Sequence, residues 1–499
     1  MTETVPAALD AAAERFPARE AVVDGDVRLS YAELRQRVRQ CANFFAKSGV
    51  TPGARVAICS PNTWHWVVAA LGALYAGATL VPVSTRFTAR EITDVLTRAN
   101  ASALVITGRF LDTDRRATLD TVPPVMLRIP VEGREEPRDG VTEWDALEAF
   151  DDSFTSSVKP ADLSDILFTS GTTGRSKGAM SAHRQAIGVA EAWASCGELT
   201  EDDRYLVINP FFHSFGYKAG ILAAILRGAT LVPQRTFDVK ETLRLIETER
   251  ITVLPGAPTI YQVLLDAPGR AAHDLSSLRL AVTGAATVPV ALVERMRDEL
   301  GFDTVLTAYG LTEAVVATMC RPGDPPDLVA RTAGRAAAGF EVKLGDAGEV
   351  LLRGPNVMLG YLDNPAATAE AIDADGWLHT GDVGVMTSTG YLRIVDRIKD
   401  MYICRGFNVY PAEVEQVLSW LDGVAEAVVI GVPDVVYGEL GKAFIRLRPG
   451  VSLSEEDVLA HCKENLANFK RPKWVEFRGE FPRNPAGKVL KRVLREESS

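Results

Sequence analysis

Asp-Ile-Leu-Phe-Thr-Ser-Gly-Thr-Thr-Gly-Arg-Ser-Lys-Gly, residues 165–178, decides how the rest of the chain is read. Residues 166–168 are a short apolar run, expected as a buried strand, that stops in a loop of glycines and hydroxylated residues closed by a lysine. Such a loop suits phosphate. Gly171, Gly174 and Gly178 lack Cβ atoms and can turn backbone N–H groups inward. Thr169, Ser170, Thr172 and Thr173 add hydroxyl donors, and Lys177 adds positive charge. A flexible Ser/Gly turn is the plainer reading of a lone glycine-rich match, but it gives this density of donors and the closing lysine no role. The common nucleotide loop needs glycine directly before its lysine and Ser or Thr directly after it. Ser176 and Gly178 stand there instead, which disfavours a P-loop ATPase.

At 499 residues the chain is too long for one compact core, so two or more domains are expected. Hydrophobic content of 47% and charged content of 24% suit an ordinary globular protein and exclude a fibre or a disordered chain. A formal net charge of −11 argues against a nucleic-acid partner, whose phosphates the average surface would repel. A local basic patch can still serve small anions. The six cysteines, at 41, 59, 196, 320, 404 and 462, form no C-x-x-C pair and have no histidine at metal-ligand spacing. They read as free thiols of a reducing compartment, and a cytoplasmic location is expected. Residues 1–10 lack a basic region followed by an apolar core, so no secretory signal is expected. Residues 66–83 run uncharged over eighteen positions, at the lower limit of the roughly 17–25 that cross a bilayer. Gly77 and Pro82 break this run into a buried helix and a strand, so no membrane span is expected.

Ser30 with Glu33, and Thr88 with Glu91, form capping-box patterns ahead of helical apolar spacing, and residues 56–59 between them read as a short buried strand. This alternation predicts a layered α/β architecture. Ala-Leu-Tyr-Ala-Gly-Ala-Thr-Leu-Val-Pro at 73–82 returns as Ala-Ile-Leu-Arg-Gly-Ala-Thr-Leu-Val-Pro at 224–233. Two α/β subdomains of similar topology would account for the echo. Residues 112–162 are rich in charge and proline and read as variable surface structure. Residues 402–499 predict a separate α+β domain, with Pro411 opening a helix, strands at 425–430 and 442–447, and a helix near 454–467.

Further strings carry chemistry. Asn-Pro-Phe-Phe-His-Ser-Phe-Gly at 209–216 sets His213 in an aromatic cluster, where a histidine is more often a satisfied core residue than a catalyst. Leu-Arg-Leu-Ala-Val-Thr-Gly-Ala-Ala-Thr-Val-Pro at 278–289 reads as a strand opening into Gly284, Ala285 and Ala286, small enough for a flat ligand to approach. Thr-Ala-Tyr-Gly-Leu-Thr-Glu at 307–313 offers the ring of Tyr309, Gly310, the hydroxyl of Thr312 and the Glu313 carboxylate, a hard ligand of the kind Mg²⁺ prefers. Trp-Leu-His-Thr-Gly-Asp-Val at 377–383 places Asp382 where it can accept two neighbouring hydroxyls, with His379 structural beside it. Residues 349–361 read as mainly structural. Asp-Arg-Ile-Lys-Asp at 396–400 and Asn-Pro-Ala-Gly-Lys at 484–488, taken alone, would be solvated turns.

In this order, over nearly the whole chain, the strings resemble the motifs of the adenylate-forming superfamily, which includes acyl-CoA synthetases, firefly luciferase and the adenylation domains of peptide synthetases. One departure is Ser176, where many members carry proline. The resemblance implies a large N-terminal domain, residues 1–397, of two α/β subdomains plus a distorted β-barrel region, and a small mobile α+β domain, residues 398–499. It implies ATP, Mg²⁺ and coenzyme A as ligands, with adenine read at Gly284, Ala285, Ala286, Tyr309 and Gly310. Glu313 and Thr172 would hold the metal, Thr312 the α-phosphate, and Asp382 with Arg397 the ribose. His213 would sit at the mouth of the acyl pocket, Lys399 would be the hinge, Gly406 would line the pantetheine tunnel, and Lys488 would be the catalytic lysine. The activity implied is carboxylate activation to an acyl-adenylate and transfer to the CoA thiol. Longer strings at 61–68 and 399–411 resemble actinobacterial ligases of steroid-ring breakdown that act on the propanoate of an indanedione remnant. A medium-chain or aryl acid, a carrier-protein-loading adenylation enzyme and a silent nucleotide-binding protein stand as the other readings, and a homodimer is left open.

Overall fold

The computed structural model describes residues 3–498 apart from 112, 118, 120, 132–139, 170–175, 285–287, 398–399, 405–406, 435–437, 485–486 and 488, and only the backbone of 397, 407 and 408. The chain forms two compact units, one of residues 1–341 with 352–378, the other of residues 342–351 with 379–499.

Two sheets carry the first unit. Among the described residues, one has eight strands in the order Gly360–Tyr361, Lys177–Ala182, Leu163–Thr169, Thr79–Pro82, Arg55–Cys59, Ala101–Thr107, Val125–Ile129 and Thr142–Glu143. The other has nine: Arg335–Ala336, Ala314–Met319, Thr304–Leu311, Leu280–Gly284, Val253–Pro255, Arg204–Val207, Thr230–Pro233, Glu20–Asp24 and Val27–Ser30. Most neighbours are parallel, so the chain must cross over between them, and helices such as Trp64–Tyr75 and Val239–Thr248 serve as crossovers. The echoed strings occupy matching places. Gly77 and Gly228 each end a helix in the left-handed region, at φ +82° and +74°, before the fully buried strands Thr79–Pro82 and Thr230–Pro233, one in each sheet.

Both capping boxes form. Ser30 Oγ accepts from Glu33 N–H at 3.2 Å while Glu33 Oε2 accepts from Ser30 N–H at 2.8 Å, and Thr88 and Glu91 repeat the exchange. Helix Trp64–Tyr75 buries every residue from 66 to 75, which explains its uncharged sequence. No described helix is long and apolar enough to cross a membrane.

Under the phosphate strand Leu163–Thr169 lies an ion pair closed off from water. Lys218 Nζ stands 2.9 Å from Asp165 Oδ1, with side-chain exposures of 1% and 0%. Lys218 also donates to Ser181 Oγ at 2.9 Å, and Ser164 Oγ donates to Asp165 Oδ2 at 2.6 Å. Lys218 belongs to a π-helical stretch, Phe215–Leu222, a rare geometry that is common near functional sites.

Among the described residues, the second unit holds most of a four-stranded sheet, Glu341–Leu344, Glu349–Arg353, Leu378–Met386 and Leu392–Arg397. It continues as an α+β fold. Gly438–Leu447 pairs antiparallel with Val424–Asp434 and parallel with Trp474–Phe477. Side chains alternate across this sheet: Val429 packs with Val414, Leu418, Val458 and Cys462, whereas Val428 and Ile430 pack with Phe481 and Leu494. Pro411 opens helix Pro411–Ser419 as its fixed φ predicts.

Candidate active site

The two ends of the glycine-rich motif lie in paired strands. Strands Leu163–Thr169 and Lys177–Ala182 run antiparallel, with Thr169 opposite Lys177 as the last described pair, and Thr169 Oγ1 donates to the Lys177 carbonyl at 3.3 Å. Ser170, Gly171, Thr172, Thr173 and Gly174 lie outside the described residues. Gly178 is required where the hairpin packs, because a Cβ there would fall 2.8 Å from Ile166 Cγ2. Ser176 is bound from outside the hairpin: Arg98 donates to its Oγ at 3.3 Å and lies 5.1 Å from the Phe168 ring centroid.

A third strand completes this edge. Gly360–Tyr361 pairs antiparallel with Lys177–Ala182, placing Tyr361 opposite Ala179, and Leu362 N–H donates to the Gly178 carbonyl at 2.8 Å. The ring of Tyr361 thereby comes beneath Lys177, whose Nζ is 4.8 Å from its centroid. Its hydroxyl donates to Glu313 Oε1 at 2.7 Å. Residues 349–361 read as mainly structural in the sequence, and the structure adds that Tyr361 joins the glycine-rich motif to the Tyr-Gly-Leu-Thr-Glu motif. No pattern in 349–361 marked it; only the strand pairing does.

Glu313 occupies the turn between strands Thr304–Leu311 and Ala314–Met319, and its carbonyl accepts from Met358 N–H at 2.8 Å. Gly310 is needed because the chain doubles back closely: a Cβ would meet Val316 N at 2.5 Å. Tyr309 and Thr312 are half-buried beside it. Gly284 lies opposite Ala308 on the parallel neighbour, where a Cβ would fall 2.4 Å from the Ala308 carbonyl oxygen. Gly284 and Tyr309 thus sit at the carboxyl ends of adjacent parallel strands, the usual ligand end of such sheets. Ala285 and Ala286 lie outside the described residues.

His213 follows strand Arg204–Val207 on an exposed turn, and its Nδ1 accepts from Phe215 N–H at 3.2 Å, which leaves the proton on Nε2. Although the ring's edge is open, the protein packed around it lowers its pKa below the ordinary imidazole value, so it is neutral near pH 7. Gly216 lets the chain fold back on itself, since a Cβ would lie 2.3 Å from the Pro210 carbonyl oxygen.

In the second unit Asp382 is 4% exposed, and its N–H donates to Thr380 Oγ1 at 3.1 Å. Glu349 fixes the turn before it, accepting from Gly381 N–H at 3.0 Å and lying 2.9 Å from His379 Nδ1, which gives His379 the structural part expected of it. Asp382 stands opposite Arg397 in the backbone register. Lys399, Gly406 and Lys488 lie outside the described residues. Among the described residues of this unit, Lys491 Nζ meets Glu415 Oε1 at 2.8 Å and Arg495 meets Asp400 Oδ1 at 3.0 Å. Burial opposes the charge on Lys491, but Glu415, Asp396 and Asp400 outweigh it and hold its pKa above the usual lysine range.

Among the described residues no group of three His, Cys, Asp or Glu side chains is placed to hold a metal ion. Glu313 alone fits a different kind of site. Mg²⁺ is usually bound by one or two carboxylates plus substrate phosphates and water, and Glu313 engages only one of its oxygens with Tyr361.

A family model described as AMP-binding enzyme matches residues 9–362, and one described as AMP-binding enzyme C-terminal domain matches residues 413–488. The chain is 58% identical, over all of both chains, to a 3-[(3aS,4S,7aS)-7a-methyl-1,5-dioxo-octahydro-1H-inden-4-yl]propanoyl:CoA ligase of Rhodococcus jostii. It is also 58% identical to a ligase of the same name from Mycobacterium tuberculosis, over 99% of this chain and 98% of the relative. Among solved structures, the anthranilate CoA ligase AuaEII in complex with anthranoyl-AMP superposes with a TM-score of 0.90 at 27% identity, over 99% of this chain and 97% of that one. The ATP-bound RpMatB-BxBclM chimera B3 gives 0.89 at 31% identity, over 100% and 99%. With its phosphate hairpin, its Tyr-Gly-Leu-Thr-Glu turn and both family regions in place, this chain belongs to the AMP-binding enzyme family and is an AMP-forming acyl-CoA synthetase.

Proposed function

We propose that this synthetase activates the propanoate side chain of a steroid-derived hexahydroindanedione. The observation that carries the reading is the 58% identity, over the full length, to two ligases named for that acid. In the first half-reaction a carboxylate oxygen attacks the α-phosphorus of ATP, the bond to the bridging oxygen breaks, and acyl-adenylate and pyrophosphate form. A carboxylate is already ionised at neutral pH, so no general base is needed. In the second, the CoA thiol sulfur attacks the acyl carbon, AMP leaves, and the thiol proton passes to solvent.

Lys177 and the hydroxyls of Thr169, Ser170, Thr172 and Thr173 would grip the phosphates, and holding them in line is most of what catalysis of this step requires. Mg²⁺ held by Glu313 and Thr172 would neutralise phosphate charge. Tyr309, Gly310 and Gly284 to Ala286 would take the adenine, Thr312 the α-phosphate, and Asp382 with Arg397 the ribose. Lys488 would stabilise charge growing between the carboxylate oxygen and the α-phosphate. Rotation about Lys399 would then exchange Lys488 for the face carrying Gly406, with His213 at the acyl mouth. Six cysteines, all free and buried, support a cytoplasmic setting.

Acyl-CoA formation with a panel of acids tests the reading. The indanedione propanoate is expected to give the highest kcat/KM; a medium-chain or aryl acid exceeding it would overturn the substrate assignment. Assay with a holo-carrier protein in place of CoA tests the carrier-loading reading.

A further inference from the structure

We infer that Tyr361 is a positioning residue for adenylation, holding Glu313 by one oxygen and spacing it from Lys177 so that each meets its own part of Mg·ATP. The inference rests on the reading of Glu313 as the metal carboxylate. Three observations carry it. Tyr361 is fixed from both sides by its backbone: it pairs opposite Ala179, and its N–H donates to Thr368 Oγ1 at 2.9 Å. Its hydroxyl donates to Glu313 Oε1 at 2.7 Å, while Glu313 Oε2 has no hydrogen-bond partner among the described residues. The Lys177 ammonium stands 4.8 Å from the centroid of the same ring.

The arrangement solves an electrostatic problem. A lysine and a carboxylate placed together for one ligand tend to pair with each other, and the ligand must then break that pair. Here the two meet through a neutral phenol, the cation at the ring and the carboxylate at the hydroxyl. An ordinary phenol is neutral and a hydrogen-bond donor near pH 7. Held through Oε1, the carboxylate turns its other oxygen to an incoming cation, and the ammonium keeps its protons for phosphate.

The test is equilibrium binding of ATP without acid, measured calorimetrically in excess Mg²⁺ and in excess EDTA, for the wild type, Tyr361→Phe, Tyr361→Leu and Glu313→Gln. The quantity compared is the ratio of the two affinities within each protein, so a reduced folded fraction cancels. Tyr361→Phe keeps the ring and loses only the hydroxyl. It is expected to shrink the Mg²⁺-dependent gain in affinity about tenfold, as loss of one hydrogen bond to a charged group implies, while metal-free binding changes less than about twofold. Tyr361→Leu is expected to weaken metal-free binding as well, since Lys177 loses its ring. If Tyr361→Phe keeps the wild-type ratio while Glu313→Gln collapses it, the role of Tyr361 is refuted and that of Glu313 stands. If Glu313→Gln also keeps the ratio, the metal reading falls and takes the inference with it. Equal loss in Mg²⁺ and EDTA would make Tyr361 merely structural.

Discussion

Removing the charge of Lys218 should loosen strand Leu163–Thr169, against which its ammonium is buried. The pair with Asp165 spans 2.9 Å in surroundings that leave the two side chains 1% and 0% exposed. At an effective dielectric of about 20, the attraction at that separation is about 6 kcal/mol, most of it offset by the desolvation of both ions. Lys218→Met loses the attraction but keeps the buried carboxylate, so the expected destabilisation is about 3–5 kcal/mol. Asp165→Leu leaves the ammonium stranded and should cost about the same. The double variant removes both charges, takes the Lys218 donor from the Ser181 hydroxyl and leaves Ser164 Oγ the Ser181 carbonyl at 3.1 Å, a loss of about 1–2 kcal/mol. The suitable assay is local, because a chain of two compact units need not unfold in one step. Hydrogen exchange followed by mass spectrometry on peptides covering 163–169 and 215–222 reads the opening of the two elements directly. Each single variant should exchange there roughly two to three and a half decades faster than the wild type at a tenfold per 1.4 kcal/mol, and the double variant about one decade faster. Single variants indistinguishable from the wild type, or a double variant as labile as the worse single, would refute the pairing argument.

Lys488→Ala is expected to abolish acid-dependent exchange of pyrophosphate into ATP yet largely spare thioester formation from synthetic acyl-adenylate; equal loss of both half-reactions would contradict its assignment. Acid lability offers a separate check. Burial lowers the pKa of His183 from 6.5 to about 4, only partly opposed by Asp162, and its Nδ1 accepts from Val5 N–H at 3.3 Å. Between those values the unfolded chain binds the extra proton, so the stability His183 contributes is present above pH 6.5 and is lost as pH falls toward 4. The loss is of order 3 kcal/mol, and His183→Asn, which can still accept from Val5, should flatten a pH series of melting temperatures across that window.

What the sequence disclosed, and what it withheld, follows from how far each signal reaches along the chain. The capping boxes at Ser30 and Thr88, the glycine stops at Gly77 and Gly228 and the proline start at Pro411 act over a few residues, and all appear in the fold. The need for glycine at 310 was legible only as part of a motif; its cause, a Cβ that would collide with Val316 N at 2.5 Å, comes from a chain reversal. Tyr361 and Lys218 left no local mark. Tyr361 lies 48 residues from Glu313, and only the pairing of Gly360–Tyr361 against Lys177–Ala182 sets its hydroxyl on that carboxylate. Lys218 is five positions beyond His213, where an apolar helical pattern would place a core residue; a π-helical turn instead carries its charge inward to Asp165. The two residues act on opposite sides of one hairpin. Asp165, paired with Lys218, lies four residues before Thr169, and Tyr361 pairs two residues beyond Lys177. A neutral spacer on one flank and a compensated buried charge on the other would therefore fix both strands that lead into the segment proposed to bind phosphate. Loosening either flank should weaken nucleotide binding, but only the Tyr361 side should do so in a Mg²⁺-dependent way.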